Sequence, residues 1–242
     1  MPVSLKGQTV LVVGASSGIG RSIAVHFARE GSNVMASARR LDRLQQLQDE
    51  LAEENIDIGI FVADATNVGA MEELAARTVE QFEKIDILVY NSGTNTPDRA
   101  MIRLAAKSWD EVLCVNLNGA YYATRAVLPA MRERKSGHLI YIASISGLVP
   151  DVSGAAYQAS KRGMVGMAHA IRVEEKENNI RTCVVCPGLV DTEILEKRPV
   201  KPPPETIAKA LQSDDVAEAV LFVAKLPPRA AVPEMQLMPT FL

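Results

Sequence analysis

A chain of 242 residues, 48% of them apolar, can build one large α/β domain with a self-sufficient core, which excludes a disordered chain and a small disulfide-stapled one. The formal charge of −3, with no block of Lys/Arg, excludes nucleic acid and anionic membrane as default partners. No apolar run approaches the ~20 residues of a membrane span. Residues 1–6 lack the apolar core of a secretory leader, so the cytoplasm is the expected compartment.

In chain order, Thr9–Val13 reads as a first strand running into a glycine-rich turn, and Arg21–Glu30 as a helix stopped by Gly31. Asn33–Ala38 is a second strand. Leu41–Glu54 is an amphipathic helix carrying Leu44, Leu47 and Leu51 on one face, with Asp42 capping or supporting its start. Ile58–Val62 (strand), Val68–Phe82 (helix) and Ile87–Tyr90 (strand) follow, then one long helix from about Ser108 to Arg134. At its end Arg132, Arg134 and Lys135 alternate with Glu133 and read as solvated charge. Leu139–Ala143 is strand five, Tyr157–Glu177 a long helix, Arg181–Cys186 strand six, Asp214–Ala224 a late helix and Pro233–Met238 a final strand. The proline-rich stretch 198–205 reads as a stiff loop. This alternation predicts a doubly wound parallel sheet, a Rossmann-type α/β/α sandwich, in one domain over residues 1–242. Ligands in such a sheet bind beyond the C-terminal ends of the strands. Cys183 and Cys186 form C-x-x-C, but residues three apart on a strand point to opposite faces, so both read as core; three cysteines are also an odd number for a disulfide framework.

Strand one leads into Gly14-Ala15-Ser16-Ser17-Gly18-Ile19-Gly20 and directly into a helix. Glycines permit the tight turn, and unpaired N–H groups at a helix N-terminus attract phosphate. The spacing G-x-x-x-G-x-G differs from the commoner G-x-G-x-x-G, and by itself it also fits a turn that merely packs a helix on a strand. At the end of strand two, an acid would take the ribose hydroxyls of NAD. No acid stands there; Arg39 and Arg40 follow Ala38, and guanidinium groups suit a 2′-phosphate, which favours NADP(H) over NAD. The alternative is that both arginines are ordinary surface charges.

Tyr157 and Lys161 lie four residues apart, on one face of a helix. A phenol titrates near ~10, and a neighbouring ammonium lowers that value, making Tyr157 a usable general acid or base. Ser144 ends strand five, where its hydroxyl can polarise a carbonyl; Ser146 reads as a turn serine. Asn116 interrupts an apolar helix segment and needs a partner if buried. A surface Tyr–Lys pair, a turn serine and a satisfied core amide are the plain alternatives.

Together these residues resemble the short-chain dehydrogenase/reductase family, over nearly the whole chain from Leu5 to about Ala224. The motifs occur in order: Gly14–Gly20, Asp64, Asn91-Ser92-Gly93, Asn116, Ser144, Tyr157/Lys161 and Pro187-Gly188. The resemblance implies an oxidoreductase moving a hydride between nicotinamide and a carbonyl/alcohol pair. It gives Tyr157 the proton exchange, Lys161 the nicotinamide ribose, Ser144 the substrate oxygen and Asn116 a water in a proton relay. It assigns Gly14, Ser16, Ser17, Gly18, Ile19 and Gly20 to the pyrophosphate and Asp64 with Ala65 to the adenine. It sets Asn91, Ser92 and Gly93 along the cofactor, and Pro187, Gly188, Val190 and Thr192 around the nicotinamide. It also implies a homotetramer, or a dimer, built on helix faces carrying Ala120, Tyr121, Ala123 and Thr124, or Met164, Met167 and Ala168. No metal is implied.

Three departures stand out. Tyr90 replaces the first Asn of the family's Asn-Asn-Ala-Gly, Ser17 replaces a basic residue common in NADP-preferring members, and residues 232–239 replace a glycine-rich C-terminal strand. That ending resembles a subgroup acting on small hydroxy acids. The substrate loop is placed at about 189–212, with Leu148, Val149, Val152, Leu189 and 194–204 as walls. Lys197, Arg198 and Lys201 nearby suit a small carbonyl compound carrying a carboxylate, while an acyl-carrier-bound ketoacyl group, a sugar and a xenobiotic ketone stay open. A non-enzymatic dinucleotide sensor is the rival reading from outside enzymes, but such proteins tend to lose the tyrosine or lysine. An epimerase or dehydratase would need a larger C-terminal part.

Overall fold

The computed structural model describes residues 2–241. Seven strands form one fully parallel sheet in the order β3-β2-β1-β4-β5-β6-β7. They are β1 (Thr9–Val13), β2 (Asn33–Ala38), β3 (Gly59–Val62), β4 (Ile87–Tyr90), β5 (Gly137–Ile142), β6 (Ile180–Pro187) and β7 (Glu234–Leu237). The order reverses between β1 and β4, so their C-terminal ends diverge and leave a crevice.

The side-chain alternation of the strands divides the core in two. Val10, Val12, Val34, Ala36, Val89 and Ile140 face α1 (Gly18–Arg29), α2 (Leu41–Glu53) and α8 (Ser213–Ala224), whose Ile23, Phe27, Leu44, Leu47 and Val220 cover them. Leu11, Val13, Leu88, Tyr90, Leu139 and Tyr141 face the other way, onto α3 (Val68–Phe82), α5 (Gly119–Arg134) and α6 (Ala155–Glu174). Cys183 packs in the first cluster and Cys186 in the second, as residues three apart on a strand must. Burial pushes the two thiols up, to about 12 and about 11.

The single helix expected over Ser108–Arg134 is interrupted. It consists of α4 (Ala106–Leu113), a π-helical turn at Cys114–Asn118, and α5. The wide turn swings Asn116 wholly inward, where its Oδ1 accepts from Thr94 N at 2.7 Å and its Nδ2 donates to Thr94 O and Ser160 Oγ. Tyr90, in the place of the family's first Asn, donates its hydroxyl to Val115 O at 2.5 Å and so ties β4 to the same turn. Gly119 makes room for it, since a Cβ there would stand 2.2 Å from the phenol oxygen.

Other expectations change as well. Arg132 is no idle surface charge: its guanidinium grips Glu175, a carboxylate with no exposed side-chain surface, and Arg134 donates to Ile85 O. α6 ends at Glu174, and a 3₁₀ turn at Lys176–Asn178 completes the segment. Asp42 caps nothing; it sits in the first turn of α2, where its charge favours the helix dipole. At the end of the proline-rich stretch a short helix, α7 (Pro204–Ile207), forms with Pro204 at its start. Ala120, Ala123, Thr124, Met164 and Ala168 are buried inside the subunit, so they offer no assembly face; Tyr121 alone of that set is exposed. Among the described residues no helix is long and apolar enough to cross a membrane.

Candidate active site

A cavity of about 500 Å³ opens where β1 and β4 diverge, lined by the residues that follow the strands. Gly14, Ser16, Ser17, Gly18, Ile19, Arg39, Arg40, Asp64, Ala65, Asn91, Ser92 and Gly93 line one part of it. Ser144, Tyr157, Lys161, Pro187, Gly188, Val190 and Thr192 line the remainder. The structure therefore brings together every expected catalytic and cofactor-binding residue except Gly20 and Asn116. Gly20 lies under the cavity, where a Cβ would meet Gly14 O at 2.1 Å; it lets α1 approach the turn.

At the glycine-rich end the backbone is left free to bind. Gly14 turns at φ +91° against Ser92, and a Cβ there would lie 2.6 Å from Ser92 N. Ser17 is the N-cap of α1 but makes no side-chain cap bond, and the first turn holds no acid. Unpaired N–H groups and the positive helix end thus face the cavity. Arg40 folds over them, donating to Ser17 Oγ at 2.8 Å, Ser16 Oγ at 3.0 Å and Glu193 Oε2 at 3.0 Å. Arg39 is largely exposed and comes no nearer than 3.9 Å to its partner Asp64. Asn91 donates to Gly14 O at 2.9 Å, fastening β4 to the turn, and Asp64 accepts twice from Thr66.

At the other end, the N-terminus of α6 presents Tyr157 on its first turn, with Ser144 beside it in the cavity lining. Lys161, one turn further, is buried and donates to Ile142 O at 2.9 Å, its Nζ 5.7 Å from the Tyr157 ring centre. Burial pushes the phenol up to about 12, with Asp151 adding to the rise and Ser144, Arg198 and Arg99 opposing it. Burial likewise pushes the Lys161 ammonium down to about 8. The simple expectation that Lys161 makes this phenol acidic is thereby corrected. Desolvation dominates, Lys161 is not among the groups that lower the phenol, and the proton stays on it at neutral pH.

Ser144 donates to Ser146 Oγ at 3.2 Å, and Ser146 donates to Asp151 Oδ2 at 2.5 Å, with Ser153 bonded to both Ser146 and Asp151. Ser146, expected as a turn serine, is thus a link that holds Ser144. Sequence reasoning missed this network, and also Thr94, Asn95, Arg99 and Glu193, all of which line the cavity. No motif marks them: Thr94, Asn95 and Arg99 stand on an irregular loop and Glu193 opens a short 3₁₀ turn. Of the expected walls, Leu189, Ile194, Leu195, Lys197 and Arg198 line the cavity, whereas Leu148, Val149 and Val152 do not, and Val152 is exposed.

The model of the short chain dehydrogenase family matches residues 8–202. A 3-oxoacyl-[acyl-carrier-protein] reductase of Thermotoga maritima is 31% identical over 225 residues, covering 91% of each chain. An NADP-dependent 3-hydroxy acid dehydrogenase of Salmonella typhi is 34% identical over 236 residues, covering 95% of this chain and 94% of that relative. Among solved structures, the closed form of a serine dehydrogenase complexed with NADP+ superposes with a TM-score of 0.88 at 34% identity, covering 97% of this chain and 96% of that one.

Proposed function

The chain belongs to the short-chain dehydrogenase family, and on that footing we propose that it is an NADP(H)-dependent oxidoreductase interconverting a small carbonyl compound and its secondary alcohol, with Tyr157 exchanging the proton. The carrying observation is one cavity with a phosphate-ready helix start and Arg40 in one part and Ser144, Tyr157 and Lys161 in another. The named relatives that bind NADP support the choice of dinucleotide.

The residues fit that cofactor. Uncapped N–H groups of α1 would hold the pyrophosphate, and Arg40, already poised over Ser16 and Ser17, would hold the 2′-phosphate with Arg39 beside it. No acid ends β2 to compete for the ribose hydroxyl. Lys161 lines the cavity with Gly93 beside it, which suits a lysine that binds the other ribose. When bound, the nicotinamide supplies or takes the hydride.

The protein's part is position and protons. Tyr157 keeps its proton at neutral pH and can give it to a carbonyl oxygen; in the alcohol-oxidising direction the same oxygen must first lose it. Ser144 accepts or donates at that oxygen, its rotamer set by Ser146 and Asp151. Lys161 places its charge against the phenol. Both donors of the Asn116 amide are engaged by Thr94 and Ser160, so Asn116 acts by fixing the loop after β4 beside Lys161. Consumption of NADPH with small ketones and oxo acids, lost in Tyr157→Phe, is the test.

A further inference from the structure

Beyond Tyr157, one wall of the cavity is cationic. It comes from two segments far apart in sequence: the loop after β4, with Thr94 and Arg99, and the segment after β6, with Lys197 and Arg198. They are stitched together, Arg99 donating to Lys197 O at 2.6 Å and Lys197 Nζ to Thr94 Oγ1. Arg99 also donates to Thr96 O, so its bonds all go to carbonyl oxygens. None of these three cations takes part in an ion pair among the described residues. Asp151 also lines the cavity near Arg99, but its oxygens already accept from Ser146 and Ser153. Arg99 is half-buried; burial, and after it the nearby Arg198, depress its guanidinium below the usual range. Like charges gathered without partners beside a substrate cavity cost stability unless an anion binds there.

We propose that Arg198, with Arg99 behind it, receives the carboxylate of a small oxo or hydroxy acid and so aims the reacting carbonyl at Ser144 and Tyr157. This rests on the oxidoreductase reading above and narrows it to acids. The two arginines come from the two stitched segments, so the acid would also hold those segments together over the cavity. Guanidinium suits this task because its planar donors match a carboxylate in two places.

The test is a set of matched pairs assayed with NADPH: acetoacetate against acetoacetamide, pyruvate against pyruvamide, with acetoacetyl-N-acetylcysteamine and cyclohexanone as uncharged comparators. In at least one pair the acid is expected to exceed its amide at least about tenfold in kcat/KM, the factor that one charge-assisted contact supplies. Arg198→Gln, on a side chain with no hydrogen bond to break, should collapse that ratio toward one, chiefly through KM, while Arg198→Lys retains part of it. Arg99→Lys keeps charge while loosening the stitch and should lower the ratio less than Arg198→Gln. Amide, thioester or cyclohexanone turned over as well as the acids would overturn the carboxylate site and leave the oxidoreductase reading standing. A ratio that survives Arg198→Gln would do the same. No NADPH consumption with any compound, by protein that still quenches NADPH fluorescence, would sink both.

Discussion

Glu193, in the 3₁₀ turn Glu193–Lys197, accepts a hydrogen bond at 3.0 Å from Arg40, 153 residues earlier at the end of β2. The pair closes over Ser16 and Ser17, and Arg40 holds the Glu193 carboxyl below its usual range. The cation is thus held at the start of α1, whereas Arg39 points largely into solvent. Arg40→Ala is expected to raise the Kd for NADPH by about 10–100-fold, the range of one or two lost charge-assisted bonds, and to change that for NADH far less. Arg39→Ala should follow the same direction with a smaller effect. Fluorescence titration with both dinucleotides decides it; equal losses for NADPH and NADH would remove the basis for the preference.

Tyr157→Phe keeps the aromatic ring on the first turn of α6 and deletes only the phenol oxygen. Turnover is expected to fall by about 10²–10⁴-fold, the span of a lost general acid, with NADPH binding largely intact. The pH profile of carbonyl reduction gives a second reading. With the phenol protonated up to about 12 and Lys161 losing its charge near about 8, the rate should hold steady through neutrality and decline above about 8. A rate level to pH 10 would exclude the Lys161 charge from the step.

The strands and helix cores were legible in the sequence because alternation and 3.6-residue spacing report burial directly: β1, β2 and β4 fall where Thr9–Val13, Asn33–Ala38 and Ile87–Tyr90 predicted. The glycine-rich part of the cavity was legible because glycines and a missing acid leave a local pattern. What was not legible depends on contacts between distant segments. Asn116 reads as an odd polar residue until Thr94 is seen beside it, and only then does the π-helical turn have a cause. Arg99 and Asp151 carry no spacing signal; their place beside Tyr157 comes from loops that the sheet topology brings together. Arg132 misled for the same reason, since its partner lies 43 residues on.

That partner, Glu175, supports the third prediction. Its carboxylate is buried and met by Arg132 and by Asn178 at 2.9 Å. Removing Arg132 leaves the Glu175 charge with Asn178 as its remaining side-chain partner, while solvent on the exposed arginine side screens part of the loss. Arg132→Ala should therefore lower the urea midpoint. Arg132, and after burial opposes it Asn178, hold the Glu175 carboxyl below its ordinary value of 4.5. The sign follows: the contribution is complete above that value and is lost as pH falls through the lower, folded one. A double variant Arg132→Ala/Glu175→Gln recovering part of the loss would identify the stranded charge; no recovery would point to packing alone.

The last prediction concerns pH in the opposite kind of group. His138, second residue of β5, is buried, its Nδ1 has no hydrogen-bond partner, and Arg181 lies directly across on β6. Burial, and after it the Arg181 charge, push the imidazole down to about 3. Between that value and the ordinary 6.5 the unfolded chain binds a proton that the folded chain refuses, so stability falls as pH drops through this window. Each unit costs about 1.4 kcal/mol, so roughly 2 kcal/mol should go between pH 6.5 and pH 5, where Glu175 is still ionised and does not contribute. His138→Leu fills the same strand position without a titrating ring, and it should flatten that slope while leaving the fold intact at pH 7.5. Urea midpoints for the two proteins at pH 7.5, 6.5 and 5 make the comparison. If the variant loses stability as steeply as the parent, the proton is being taken up elsewhere and His138 has no part in the acid sensitivity.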